Sequence, residues 1–191
     1  KLDAFPLHEW SRVVSSFWMQ DTRSTLLDNL RIIDVSLGKL NVLNQQWNQL
    51  AIKAKMLANQ DWNFNLEQAN ISGDLNYSPK TKTVSGHIKR LHLVPFKTDN
   101  QSTKSFSRIY PDQIPNLDLR IDNFSFGEMK MGDMTLKSQS SKTQWLLDYL
   151  RIDSPVYQFF IQGDWTRKEN INRTKMQLKW HVTDLAKSLE R

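Results

Sequence analysis

Between residues 32 and 180, outside the stretch 97–116, the chain repeats one hydrophobic period, and that period is two. Leu117, Leu119 and Ile121 alternate with Asp118, Arg120 and Asp122, the pattern of a strand with one dry and one wet face. Ile33, Val35 and Leu37 alternate with Asp34 and Ser36, and Leu50, Ile52, Ala54 and Met56 stand opposite Lys53 and Lys55. Trp62, Phe64 and Leu66 mark a third strand, and Ile71, Gly73, Leu75 and Tyr77 a fourth. Residues 84–93 read as a fifth with broken alternation, since a simple count sends Ile88 and Leu91 to opposite faces. The later runs contain Met134-Thr135-Leu136-Lys137, Trp145, Tyr157 to Gln162, and Lys175 to Trp180. Gly38 interrupts or turns the first strand, and Gly127 and Gly132 read as turns between neighbours. Short strands with short connections predict a mainly β chain, an antiparallel up-and-down meander.

Three stretches lack the period. In residues 1–30, Leu7, Trp10, Val13, Val14, Phe17 and Trp18 recur at spacings of three and four behind Pro6, which predicts an amphipathic helical segment. Its polar face carries Glu9, Arg12 and Asp21 and is not basic, so packing over the sheet is expected rather than membrane contact. Residues 97–116 are polar and aperiodic and read as a loop, with Phe106, Ile109 and Tyr110 as attachment points. Residues 184–191 begin another helix.

Around the loop the pattern repeats. Ile33-Asp34 corresponds to Ile121-Asp122, Leu50 to Lys53 corresponds to Met134 to Lys137, Trp62 to Trp145, and Gly73-Asp74-Leu75 to Gly163-Asp164-Trp165. Two meander repeats of five strands, 31–96 and 117–183, stacked along one axis, are therefore expected.

Chemistry of the catalytic kind finds no foothold. His8, His87, His92 and His181 have no metal-ligand spacing, and His87 and His92, an odd number apart, should point to opposite faces. No nucleophile elbow or phosphate-binding glycine loop occurs. Asp118 and Asp122 share a strand face about 13 Å apart, beyond the spacing of glycosidase acids. The tryptophans fall at equivalent strand positions, which favours packing over stacking on sugars or bases. Four sequons, at Asn70, Asn100, Asn123 and Asn172, carry no weight. The reading is a non-enzyme without cofactor or metal.

A net charge of +6 would admit anionic partners. Its lysines alternate with apolar residues along strands, however, as a solvated outer face requires, so no nucleic-acid partner is expected. No apolar run approaches the ~18 residues that cross a bilayer. Cysteine is absent, and the chain opens on Lys1 without a leader-like stretch, which reads as a piece of a longer protein.

The remaining question is what covers the apolar face. Two or three short helices cannot blanket about ten strands, so a sheet curled into an elongated apolar groove is expected. Its lining would be Ile33, Val35, Leu50, Ile52, Met56, Leu119, Ile121, Met134, Leu136, Phe159, Ile161, Met176 and Leu178. Adaptable methionines at Met129, Met131, Met134 and Met176 suit either such a surface or a core. The alternative is a closed core, giving a structural or assembly module with no ligand.

One stretch also carries a resemblance. P-x-L-D-L-x-I-x-x-F at 115–124, G-x-M-x-L-x-S at 132–138, x-W-L-L-x-x-L-x-I-x-S-P at 144–155 and G-x-W at 163–165 are similar to the C-terminal part of large AsmA-like proteins of the YhdP type. Residues 174–180 and the run Asp184 to Leu189 continue it, and Gly73 to Tyr77 and Gly86 to Leu91 resemble it upstream. The resemblance implies a periplasmic section of a protein anchored in the inner membrane of Gram-negative bacteria. It further implies a long β-groove along which phospholipid acyl chains pass between the membranes, with neighbouring repeats of the same chain and envelope proteins as partners.

Overall fold

In the computed structural model, residues 31–42, 45–95, 110–168 and 171–183 are described. The expected helices at 1–30 and 184–191 lie outside them. Ten strands form one sheet in sequence order: β1 (Ile32–Val42), β2 (Gln45–Met56), β3 (Trp62–Gln68), β4 (Ile71–Ser78), β5 (Thr83–Leu93), β6 (Asn116–Phe126), β7 (Met129–Ser140), β8 (Gln144–Asp153), β9 (Tyr157–Lys168) and β10 (Ile171–Val182). The sheet is not closed into a barrel, since β1 and β10 stand at its two ends.

One pairing departs from the antiparallel expectation. β5 and β6 run parallel, with Thr83 opposite Asn116 and Leu93 opposite Phe126. A parallel neighbour cannot be joined by a tight hairpin, because the chain must first return along the length of β5 before the next strand can start in the same direction. That return spans roughly 35 Å along β5. Residues 94–115 make it, and about 22 residues reach ~70 Å when extended. This is why a long polar connection interrupts an otherwise tight meander.

Bulges account for the broken alternation. β4 and β5 change register beside Gly73, where Ser72 pairs with Arg90 but Gly73 with Ile88. The extra residue, Lys89, returns Ile88 and Leu91 to one face. β6 carries a matching extra residue, so that Ile88 meets Ile121 and Leu91 meets Phe124. His87 and His92 consequently share the opposite face, contrary to the simple count. Gly132 is not a turn either: it lies inside β7 at φ +92°, beside a register shift, where a side chain would be strained. Gly127 does occupy the β6–β7 turn.

β1 runs on through Gly38 to Val42, and β2 begins at Gln45, so this ribbon overhangs the short β3–β4 hairpin. The Gln45 amide bridges to the end of β5, donating to the Val94 carbonyl at 2.9 Å and accepting from the Val94 amide at 2.8 Å. Gln45, Trp47 and Leu50 are buried there. Two strands intervene between β2 and β5, so the overhang must bend around the hairpin tip to make this contact. At Gly86 a Cβ would overlap the Asp74 carbonyl oxygen and lie 2.9 Å from Leu75 Cδ2. Only a bare backbone permits so close an approach of β4 and β5.

Candidate functional site

The register resolves the two faces of the sheet line by line. One line of Cα partners passes through Ile33, Ala54, Phe64, Leu75, Gly86, Leu119, Leu136, Leu150, Ile161 and Leu178. The next contains Val35, Ile52, Leu66, Gly73, Ile88, Ile121, Met134, Ile152, Phe159 and Trp180. Both lines cross all ten strands without one polar side chain. The line between them consists of Asp34, Lys53, Asn65, Asp74, His87, Arg120, Thr135, Arg151, Phe160 and Lys179. Successive residues of a strand point to opposite faces, so this line belongs to the other side.

All thirteen residues read from the sequence as groove lining fall on the apolar face. Leu50, Ile121 and Met134 are buried, Met176 and Leu178 are 58% exposed, and the other eight are half-buried. Sequence reasoning missed Leu66, Leu75, Ile88, Phe124, Leu150 and Ile152, which share the face. Bulges hid part of this set: β8 shifts register between Leu147 and Leu150, which brings both to the apolar side despite their odd separation.

Packing on this face is uneven. Ile88, Ile121, Phe124, Met134 and Ile152 form a tight cluster, with Ile121 only 1% exposed. A second cluster, Ala54, Trp62 and Tyr77, gathers Ile33, Met56, Phe64 and Val84. Trp62 stacks on Phe64 at 6.2 Å, and burial raises the Tyr77 phenol above its ordinary value. The line from Ile33 to Leu178 is half-buried along most of its length: Ala54 is buried, Ile33 and Phe64 pack against the second cluster, Leu75, Leu119 and Leu150 against the first, and Leu178 is exposed. At the β9–β10 end, Phe159 stacks on Trp180 at 5.4 Å, and Trp180 is 59% exposed.

The end of the long connection lies on the apolar side. A 3-10 turn at Pro111–Gln113 contacts β8 and β9, and Pro111 is buried. Ser140, in line with Trp145 and Trp165, donates its hydroxyl to the Pro111 carbonyl. Arg167, two residues beyond Trp165 on the same face, places its guanidinium 4.1 Å from the Tyr110 ring centre. Of the three expected attachment points Tyr110 is one; Phe106 and Ile109 lie outside the described residues.

The opposite face is polar and cross-braced. His87 Nε2 lies 2.7 Å from Asp122, which also accepts from Arg120 at 3.3 Å. Asp118 faces Lys137 at 3.9 Å, so the two aspartates sit in separate ion pairs. The hydrogen bond from His87, followed by the charges of His87 and Arg120, holds the Asp122 carboxyl below the usual range. Asp153 raises the already high value of Arg151 through a hydrogen bond and its charge. Among the described residues, no group of three His, Cys, Asp or Glu side chains could hold a metal ion. No helix among them is long and apolar enough to cross a membrane.

A family model described as YhdP protein matches residues 1–191, the whole length of the chain. The chain belongs to the YhdP family. Neither a search of curated proteins nor one of solved structures finds a match. Family membership points to an envelope protein with a role related to lipid transport.

Proposed function

We propose that this YhdP-family chain is one section of a hydrophobic conduit carrying phospholipid between the inner and outer membranes, with acyl chains lying on the apolar face. The carrying observation is the half-buried line from Ile33 to Leu178, unbroken by a polar side chain across ten strands. Nine inter-strand steps make it roughly 43 Å long. A buried methylene gains ~0.8 kcal/mol, so such a surface is an acceptable alternative to a bilayer for a long acyl chain. Headgroups would remain at the wet rims formed by the strand ends. The process needs no bond-making residue, and the section would lie in the periplasm, with neighbouring sections extending the path.

The two five-stranded runs on either side of the connection support a repeating architecture. Because β5 and β6 are parallel, β6 to β10 repeat the directions of β1 to β5. Successive units would then follow one another by translation, with their apolar faces on one side.

The tight cluster around Ile121 favours a second reading, a closed structural module of the envelope without lipid. Native mass spectrometry of the purified chain followed by lipid extraction separates the two. Co-purified phospholipid that Leu136→Asp displaces from a folded chain supports the conduit. A stable, monodisperse and lipid-free chain supports the closed module.

A further inference from the structure

Charge is divided unequally between the two rims formed by the strand ends. One rim holds the β4–β5 turn, the start of β6, the β7–β8 turn and the end of β9. Within two residues of those strand ends it carries Lys80, Lys82, Lys142, Arg167 and Lys168, and Asp112 is the one carboxylate there among the described residues. The four lysines are exposed and make no ion pair among the described residues. The other rim, from the start of β4 to the start of β9, carries Glu128, Lys130 and Asp153, and Asp153 is already paired with Arg151 at 2.6 Å. That rim is also obstructed, because the β1–β2 overhang bends around the β3–β4 tip and is tied to Val94. On the basic rim, hydrogen bonds fix the row. Asn116 donates its backbone amide to the Lys82 carbonyl and its side-chain amide to the Thr81 carbonyl, both at 2.9 Å, and accepts from the Ser140 amide at 2.8 Å. The Arg167 amide donates to the Thr143 carbonyl at 2.9 Å.

We infer that the rim from Lys80 to Lys168 is where the phosphates of bound phospholipid rest, so that lipid occupies this section in one orientation, headgroups on that rim and chains on the apolar face. The inference rests on the conduit reading and gives it a side. At ~4.8 Å per strand, the β4–β5 turn, the β7–β8 turn and the end of β9 lie about 14 Å and 7 Å apart. A phosphate moving along this rim therefore stays within about 7 Å of a cation, inside the ~8 Å reach of charge at physiological ionic strength. The apolar face meets the rim at the paired Trp145 and Trp165, whose amphipathic rings suit a boundary between hydrocarbon and polar headgroups.

The test measures lipid binding to the 191-residue chain by native mass spectrometry. Its probes are dioleoylphosphatidylglycerol and dioleoylglycerol, which share their chains and differ in the phosphate headgroup. The parent should bind the phospholipid about tenfold more tightly, the gap narrowing as salt rises. Lys80→Glu/Lys82→Glu/Lys142→Glu should abolish the gap while dioleoylglycerol binding is unchanged, and the neutral set Lys80→Gln/Lys82→Gln/Lys142→Gln should narrow it. Lys130→Glu, on the other rim, should leave both affinities as they are. Equal binding of both lipids by the parent overturns the inference while the conduit stands. So does a gap that survives the charge reversal, a gap that Lys130→Glu removes equally, or a loss of both lipids alike from the neutral set. Binding of neither lipid by the parent overturns the conduit reading and the inference with it.

Discussion

Ile121 and Leu136 occupy neighbouring lines of the apolar face, and they separate an open groove from a closed core. Ile121 is 1% exposed within the tight cluster. Truncating a side chain in such a site costs about 2–5 kcal/mol. Ile121→Asp adds the cost of burying a charge, and domains of ordinary stability have only about 5–15 kcal/mol in total. Leu136 is half-buried, and its line partners Leu119 and Leu150 are half-buried too. Half of the transfer energy of a leucine is about 1 kcal/mol, and a carboxylate there keeps access to water. With a urea slope of about 2 kcal/mol/M, Leu136→Asp should lower the unfolding midpoint by roughly 0.5 M and Ile121→Ala by more than 1 M. Ile121→Asp should fail to fold. Counting bound phospholipid by native mass spectrometry on the same samples should show lipid lost from folded Leu136→Asp. The reasoning fails if Leu136→Asp unfolds as readily as Ile121→Asp, because both lines would then be core.

Asp122 has its folded value depressed, so its contribution is present above the unfolded value and is lost as pH falls through the folded one. Urea midpoints measured from pH 6 down to pH 2 should therefore fall less steeply for Asp122→Asn than for the parent below about pH 4; identical slopes would remove Asp122 from the acid response. Gln45→Ala leaves the Val94 amide without its partner, and a loss of about 1–3 kcal/mol is expected. Hydrogen exchange at Val94 should speed up before that of the Ile121 cluster, and simultaneous loss of both would mean that the overhang is not a separate clasp. Lys53→Ser, on the polar face, should leave the lipid count and the urea midpoint unchanged. A large loss of lipid would instead point to recognition of headgroups by charge.

Much of this molecule was legible from alternation alone. Counting by twos found the strands and put thirteen apolar residues on one face, because backbone pleating makes side-chain direction a local property. Where the count failed, a bulge had intervened. Ile88 with Leu91, and Leu147 with Leu150, share a face only because an extra residue was accommodated between them, and such an insertion is decided by the neighbouring strand. The partnership of His87 with Asp122 was hidden because it depends on the parallel pairing of β5 with β6 across the long connection.

The sequence by itself determined the class of the fold, the identity of its dry face and the place where the meander breaks. Only the tertiary structure decided that β5 and β6 are parallel, that Gln45 clasps the end of β5, and that Ile121 is fully packed while the neighbouring line is half-buried. Alternation is written residue by residue along one strand. Strand direction across a long connection and the depth of burial depend on partners distant in sequence, and no local pattern encodes them.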